Sequence, residues 1–226
     1  MTTQQTITKL AHELNINKIY ARHVFHNADK TRLFEDAARI VNEKPKPFVK
    51  WVGGKRQLLQ QFRDMGLYPP DDFDPVTNTY FEPFVGGGAV FFDLLPKKAE
   101  LSDLNTELVT TYNVIKNDVD TLIKSLKKHK YEKEYYLEVR AKDPKKLSDL
   151  DVASRFIFLN RTCFNGMYRV NSKGGFNVPF GKYTNPIICD EENLRKVSKA
   201  LQKVIIKNQD YKAVLKKAKK GDFVYF

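Results

Sequence analysis

The chain has 226 residues, with 39 Lys and Arg against 27 Asp and Glu for a formal net charge of +12, and 42% hydrophobic and 12% aromatic residues. That is enough apolar material for a packed core, which excludes wholesale disorder; two cysteines, Cys163 and Cys189, argue against a disulfide scaffold or a thiolate zinc site, and no run approaches the roughly 18 to 20 apolar residues that cross a bilayer. The expectation is a soluble cytoplasmic protein with no metal and no membrane partner, whose excess of cations makes nucleic acid the default ligand.

Residues 1–44 read as helices. Apolar Leu10, Ala11, Leu14, Ile16, Ile19, Val24 and Phe25 fit two helices crossing around a turn. The piece resembles the helix-turn-helix of lac-repressor-type regulators, although Asn15 stands where that turn has its glycine. Many small helical pairs bind no DNA, so its role stays open. Lys44-Pro45-Lys46-Pro47 then removes backbone donors and disfavours helix, which places a boundary between a small all-α module at 1–44 and a second domain at 45–226.

Residues 48–62 carry the only tryptophan, and a Pro- and Asp-rich loop follows at 68–75. An apolar run at 79–84 reads as a strand, Gly86-Gly87-Gly88 as a loop and 89–95 as a helix, with a second strand at 98–102. A Lys-rich helical region is expected over 107–142 and a helix over 152–159, then a Gly- and Asn-rich stretch of hairpin character at 165–186. Helix 196–202, strand 204–207, helix 211–219 and a strand opening at 222 complete the pattern. Strands alternating with helices indicate an α/β layer architecture.

Glycines between a strand and a helix let backbone approach a ligand and leave helix N–H groups free, although a glycine cluster alone is equally a tight turn. Asp103, at the end of the next strand, is spaced like the acid that holds ribose hydroxyls in nucleotide-binding folds; it could instead cap the following helix, as could Asn105. Arg169 suits bidentate contact with guanine, and Asn165 suits a base edge. Phe164 and Met167 flank an Asn-Gly turn and are either core or wedges that enter a base stack.

Three blocks occur in order: Lys50-Trp51-Val52-Gly53-Gly54-Lys55, Glu82-Pro83-Phe84-Val85-Gly86-Gly87-Gly88, and Asn160-Arg161-Thr162-Cys163-Phe164-Asn165-Gly166-Met167-Tyr168-Arg169. Together they resemble the Dam-type, alpha-class DNA adenine N6-methyltransferases over residues 47–226. The resemblance implies a Rossmann-like methyltransferase sheet with a target-recognition region at about 114–185. It implies S-adenosylmethionine as cofactor, with Trp51 and Lys55 at its methionine end, Glu82, Pro83, Phe84, Gly86 and Gly88 around it, Asp103 on the ribose and Asp210 beside the adenine. Asp210 also stands where it could cap a helix. Double-stranded DNA would be the partner, read at GATC or a related GAT-containing site by Phe164, Asn165, Met167 and Arg169, with Lys50 on the first guanine from the other end of the site.

One departure concerns the family's catalytic Asp-Pro-Pro-Tyr, which follows a strand. Here Gly221-Asp222-Phe223-Val224-Tyr225-Phe226 reads as that strand, and the motif does not occur. The expectation is a sheet incomplete at its C-terminus, a chain inactive by itself and no catalytic residue among the 226. A complementing C-terminal fragment and a cognate restriction endonuclease are further partners the resemblance leaves open. The alternative is a non-catalytic, sequence-specific DNA-binding regulator.

Overall fold

The structure is a computed structural model that describes residues 44–226. The helix-turn-helix expectation falls on residues 1–43, outside the described ones.

Short, largely buried runs form β1 (Thr79–Glu82) and β2 (Lys98–Asp103), joined by the glycine loop and the short helix α2 (Ala89–Leu94); the short helix α1 (Leu59–Asp64) precedes them. Beyond β2 come α3 (Thr106–Asn117), α4 (Val119–Leu126), α5 (Lys133–Ala141), α6 (Asp149–Thr162) and α7 (Glu191–Leu201). The chain then returns through β3 (Ile205–Asn208), α8 (Lys212–Leu215) and β4 (Phe223–Val224). Side chains satisfy the orphan N–H groups of three helices: Asn105 accepts from Leu108 N in α3, Ser148 from Asp151 N in α6 and Asp190 from Asn193 N in α7.

All four strands are parallel, in the order β3-β2-β1-β4. The chain builds outward from β1 through β2 to β3, then lays β4 on the free side of β1, so the strand order reverses beside β1. A crevice outside the carboxyl ends of the strands at such a reversal is where this kind of sheet binds ligands.

The expected helical region at 107–142 is three helices, broken where Asp118 leaves helical geometry (φ −148°) and again over 127–132, where Glu132 is extended before α5. The helices expected at 152–159 and 196–202 are longer, at Asp149–Thr162 and Glu191–Leu201, while 211–219 shrinks to Lys212–Leu215. The core lies where α3 and α6 meet the sheet, with Tyr80, Leu101 and Tyr112 completely buried. A second cluster of Tyr136, Phe158, Cys163 and Val178 supports the 163–181 segment. Helix α6 is buried over most of its length, so its polar residues must find partners inside. Arg155 does so with three donations, to Val139 O, Arg140 O and Glu107 Oε2.

The prolyl stretch is docked onto this domain. Lys44 pairs with Asp93, the backbone of Lys46 exchanges two hydrogen bonds with the Asn193 side chain, and Phe48 is 1% exposed with its ring edge-on to Tyr112. Among the described residues no helix is long and apolar enough to cross a membrane.

Candidate cofactor crevice and recognition surface

The loop between β1 and α2 is fixed from three sides. Gly86 and Gly88 have positive φ, +46° and +69°. A β-carbon on Gly88 would stand 2.6 Å from the Tyr112 hydroxyl, and one on Gly86 would stand 2.5 Å from Cδ1 of Trp51. Tyr112 donates from its hydroxyl to Gly86 O at 3.0 Å, Gly86 N donates to Asp103 Oδ2 at 3.1 Å, and Val85 N donates to Ser102 O at 3.0 Å. Asp103 thus sits at the carboxyl end of β2 holding the glycine loop, and its other oxygen accepts from Asn105 N at 2.9 Å. The capping role is filled by Asn105, leaving Asp103 facing the loop.

Phe84 is 52% exposed and meets Tyr211 at 5.5 Å and Phe226 at 6.3 Å. The three rings come from the segments after β1, β3 and β4, and pack on one another as an apolar cluster at the strand ends. Asp210 lies beside it, exposed, and accepts from Lys212 N at 2.8 Å as α8 opens. Glu82 is different: 3% exposed and turned inward, it accepts from the Tyr80 hydroxyl and from Phe91 N, and burial pushes its carboxyl up to about 8. Pro83 is buried too, so of Glu82-Pro83-Phe84 only the last is open to a ligand. Trp51 stacks on Tyr168 at 5.7 Å and on Phe156 at 6.4 Å, while Lys55 is exposed and donates to Gly53 O.

The recognition segment leaves α6 through a tight turn, with Met167 N donating to Phe164 O and both central residues, Asn165 and Gly166, at positive φ. That is the geometry that makes Asn-Gly a hairpin signal. Antiparallel bridges Cys163↔Phe180 and Val170↔Phe176 join its arms. Phe164 is 50% exposed on this turn, beside the Cys163↔Phe180 bridge; Met167 is partly buried and packs against the cluster under the segment. Arg169 is exposed and held by Asn177, Nε to Oδ1 at 2.8 Å. Lys50 packs against this segment: its ammonium sits 4.1 Å from the Tyr183 ring centroid, and a β-carbon on Gly166 would collide with its side chain. Sequence reasoning passed over Tyr112, Tyr211 and Asn160. The first two carry no local signal, and Asn160 stands in a quoted block with nothing to distinguish it from an ordinary helical residue.

A parallel sheet with a reversal of strand order, a glycine loop after β1 and an acid after β2 define a Rossmann-like domain of the methyltransferase kind. Residues 51–226 match the family of D12 class N6 adenine-specific DNA methyltransferases, and the chain belongs to that family. It is 44% identical over 189 residues to the type II methyltransferase M1.LlaDCHI of Lactococcus lactis subsp. cremoris, covering 80% of this chain and 64% of that protein. It is 46% identical over 197 residues to the type II methyltransferase M.MjaIII of Methanocaldococcus jannaschii, covering 80% and 68%. A DNA adenine methylase of Vibrio cholerae is 34% identical over 154 residues, 66% of this chain and 53% of that protein. The chain therefore spans about two thirds of the length of the first two relatives.

Proposed function

We propose that the chain serves transfer of a methyl group from S-adenosylmethionine to the exocyclic N6 of adenine in double-stranded DNA, at GATC or a related GAT-containing site. The observation that carries this reading is the position of Trp51, whose indole touches Gly86 of the loop on one side and stacks on Tyr168 of the recognition segment on the other. A cofactor crevice and a DNA-facing surface that share one side chain suit a reaction between two bound partners.

The residues fit the cofactor. Asp103 has one hydrogen bond on each oxygen, which leaves acceptor capacity for a ribose diol. The exposed aromatic faces of Phe84 and Phe226 suit a flat purine, with the exposed Asp210, next to Tyr211 of the same cluster, available to accept from its amine. When bound, S-adenosylmethionine supplies an electrophilic methyl group. The chain's own residues bind and orient: Asp103 and the aromatic cluster hold the nucleoside, Trp51 and Lys55 close the methionine end, Phe164 enters the stack, and Arg169, Asn165 and Lys50 read base edges.

Asp-Pro-Pro-Tyr, the element that in the resembling family accepts from the target amine, does not occur in the sequence. A polypeptide of residues 1–226 is accordingly proposed to bind cofactor and DNA without turning over. The test is incorporation of labelled methyl groups into a GATC duplex, with and without a C-terminal methyltransferase fragment. Turnover only with the fragment supports the reading, and binding with no turnover in either case favours the non-catalytic regulator.

A further inference from the structure

Lys50 and the turn of Phe164 to Met167 are more than 110 residues apart in sequence, and one side chain joins them. Asn160 is 2% exposed near the end of α6. Its Oδ1 accepts from Lys50 N at 2.8 Å, and its Nδ2 donates both to Lys50 O at 2.8 Å and to Gly166 O at 2.9 Å. The amide thus grips both backbone groups of Lys50 and one carbonyl of the turn, using both its donors and one of its acceptor positions. An amide in the core so fully engaged orders its neighbours, because any shift of Lys50 or the turn strands a buried polar atom.

Two further contacts direct the Lys50 side chain. Its stem runs across the bare face of Gly166, where a β-carbon would collide with it, and its ammonium ends over the Tyr183 ring. Tyr183 is itself fixed, its hydroxyl donating to Cys163 O and its backbone N–H to the Tyr131 hydroxyl. A lysine is ordinarily a flexible point charge and a poor reader of one base. Here its backbone, stem and charge each have a seat.

We infer that Asn160 is a positioning residue for sequence recognition: it locks Lys50 to the recognition turn, so that Lys50 and the turn read DNA as one rigid unit. The inference deepens the proposed function and rests on its assignment of Lys50 to a base edge.

The test is anisotropy titration of full-length protein, with cofactor, against a GATC duplex and duplexes altered at one base pair at a time. Lys50→Ala should lose roughly tenfold discrimination at one base pair. Asn160→Ala should lose discrimination at that same pair and keep it at the others, and the double variant should be no worse than Lys50→Ala. Loss spread equally over all pairs, unchanged discrimination, or effects that add in the double variant would overturn the inference. Should Asn160→Ala fail to melt cooperatively, Tyr183→Leu and Tyr183→Phe decide: Leu should repeat the Lys50→Ala pattern and Phe, which keeps the ring, should not, and the same result from both refutes the lock. Wild-type protein that prefers no duplex takes down the proposed function and the inference together. Wild-type preference with an indifferent Asn160→Ala and a folded protein takes down the inference alone.

Discussion

The indole of Trp51 fills the space that a β-carbon on Gly86 would occupy, with Cδ1 at 2.5 Å and Nε1 at 2.6 Å from such an atom. The glycine is therefore required by a neighbouring side chain as well as by its own positive φ. Whatever disturbs Gly86 disturbs the ring that also supports Tyr168 in the recognition segment.

Gly86→Ala should cost about 1 to 2 kcal/mol for the left-handed backbone alone, and more because Trp51 must move. Cofactor affinity should fall with it. Gly53 has φ +81° and open space around it, so Gly53→Ala should carry only the backbone cost. Thermal melting and calorimetry on the two variants separate the effects: equal losses would show that the Trp51 contact contributes nothing.

Glu82 makes stability depend on pH. Burial raises its folded pKa to about 8 from an ordinary 4.5, so the fold favours the neutral acid. The contribution is fully present below about pH 4.5, declines as pH rises and is lost once pH passes about 8. His129, held neutral by burial with its pKa pushed down to about 4, slopes the other way over the acid part of that window. Glu82→Gln should remove the Glu82 slope and leave that of His129. Urea midpoints measured across the range check it, and a variant that parallels wild type contradicts the assignment.

Asp103→Ala should weaken S-adenosylmethionine binding by about 1.5 to 3 kcal/mol, the worth of a hydrogen bond to a charged acceptor. It also frees Gly86 N and Asn105 N, so the loop should loosen. Calorimetry on the folded variant is the measurement. Unchanged affinity would remove Asp103 from the binding site.

Arg169→Ala should cost about 1 to 3 kcal/mol at one guanine while sparing other base pairs. Asn177 holds the guanidinium from the opposite arm of the hairpin, so Asn177→Ala should blur the same discrimination by a smaller factor. A drop in affinity that is equal on cognate and scrambled duplexes would mean that Arg169 contacts only phosphate.

Arg155 and Glu107 form an ion pair at 2.7 Å with side chains 4% and 12% exposed. Removing one partner leaves the other charge buried, so Arg155→Met should destabilise by about 3 to 5 kcal/mol. Glu107 also accepts from the Tyr168 hydroxyl, which carries the disturbance to the recognition segment. Denaturant titration is sufficient to test it.

What could be read from the sequence was local. The glycine loop, its flanking strand and helix, and the Asn-Gly turn announce themselves through residues that few other conformations tolerate. Long-range capture was not legible. Pro45 and Pro47 stand outside any helix, yet nothing nearby shows that Asn193 takes both backbone groups of Lys46 from 147 positions away. The breaks at Asp118 and at 127–132 contain no Pro or Gly, so three helices read as one. Met167 looks as suited to a wedge as Phe164 does, and only packing separates the exposed ring from the half-buried thioether. Glu82 stands beside the glycine loop like its exposed neighbour Phe84, and only the structure shows it turned inward onto Tyr80 and Phe91.

The placement of β4 beside β1 also sets a timetable for the nascent chain. Tyr80 and Phe81 wait for Phe223 and Val224, their partners on that edge. At translation speeds of roughly 5 to 20 residues per second, the intervening stretch of about 140 residues takes roughly 7 to 30 seconds to emerge. During that interval β1 can pair with β2 on one side only, and the aromatic packing of Phe73 and Tyr80 on Phe223 does not yet exist. The edge of β1 that faces β4 is thus completed long after the β1–β2 pair has left the ribosome.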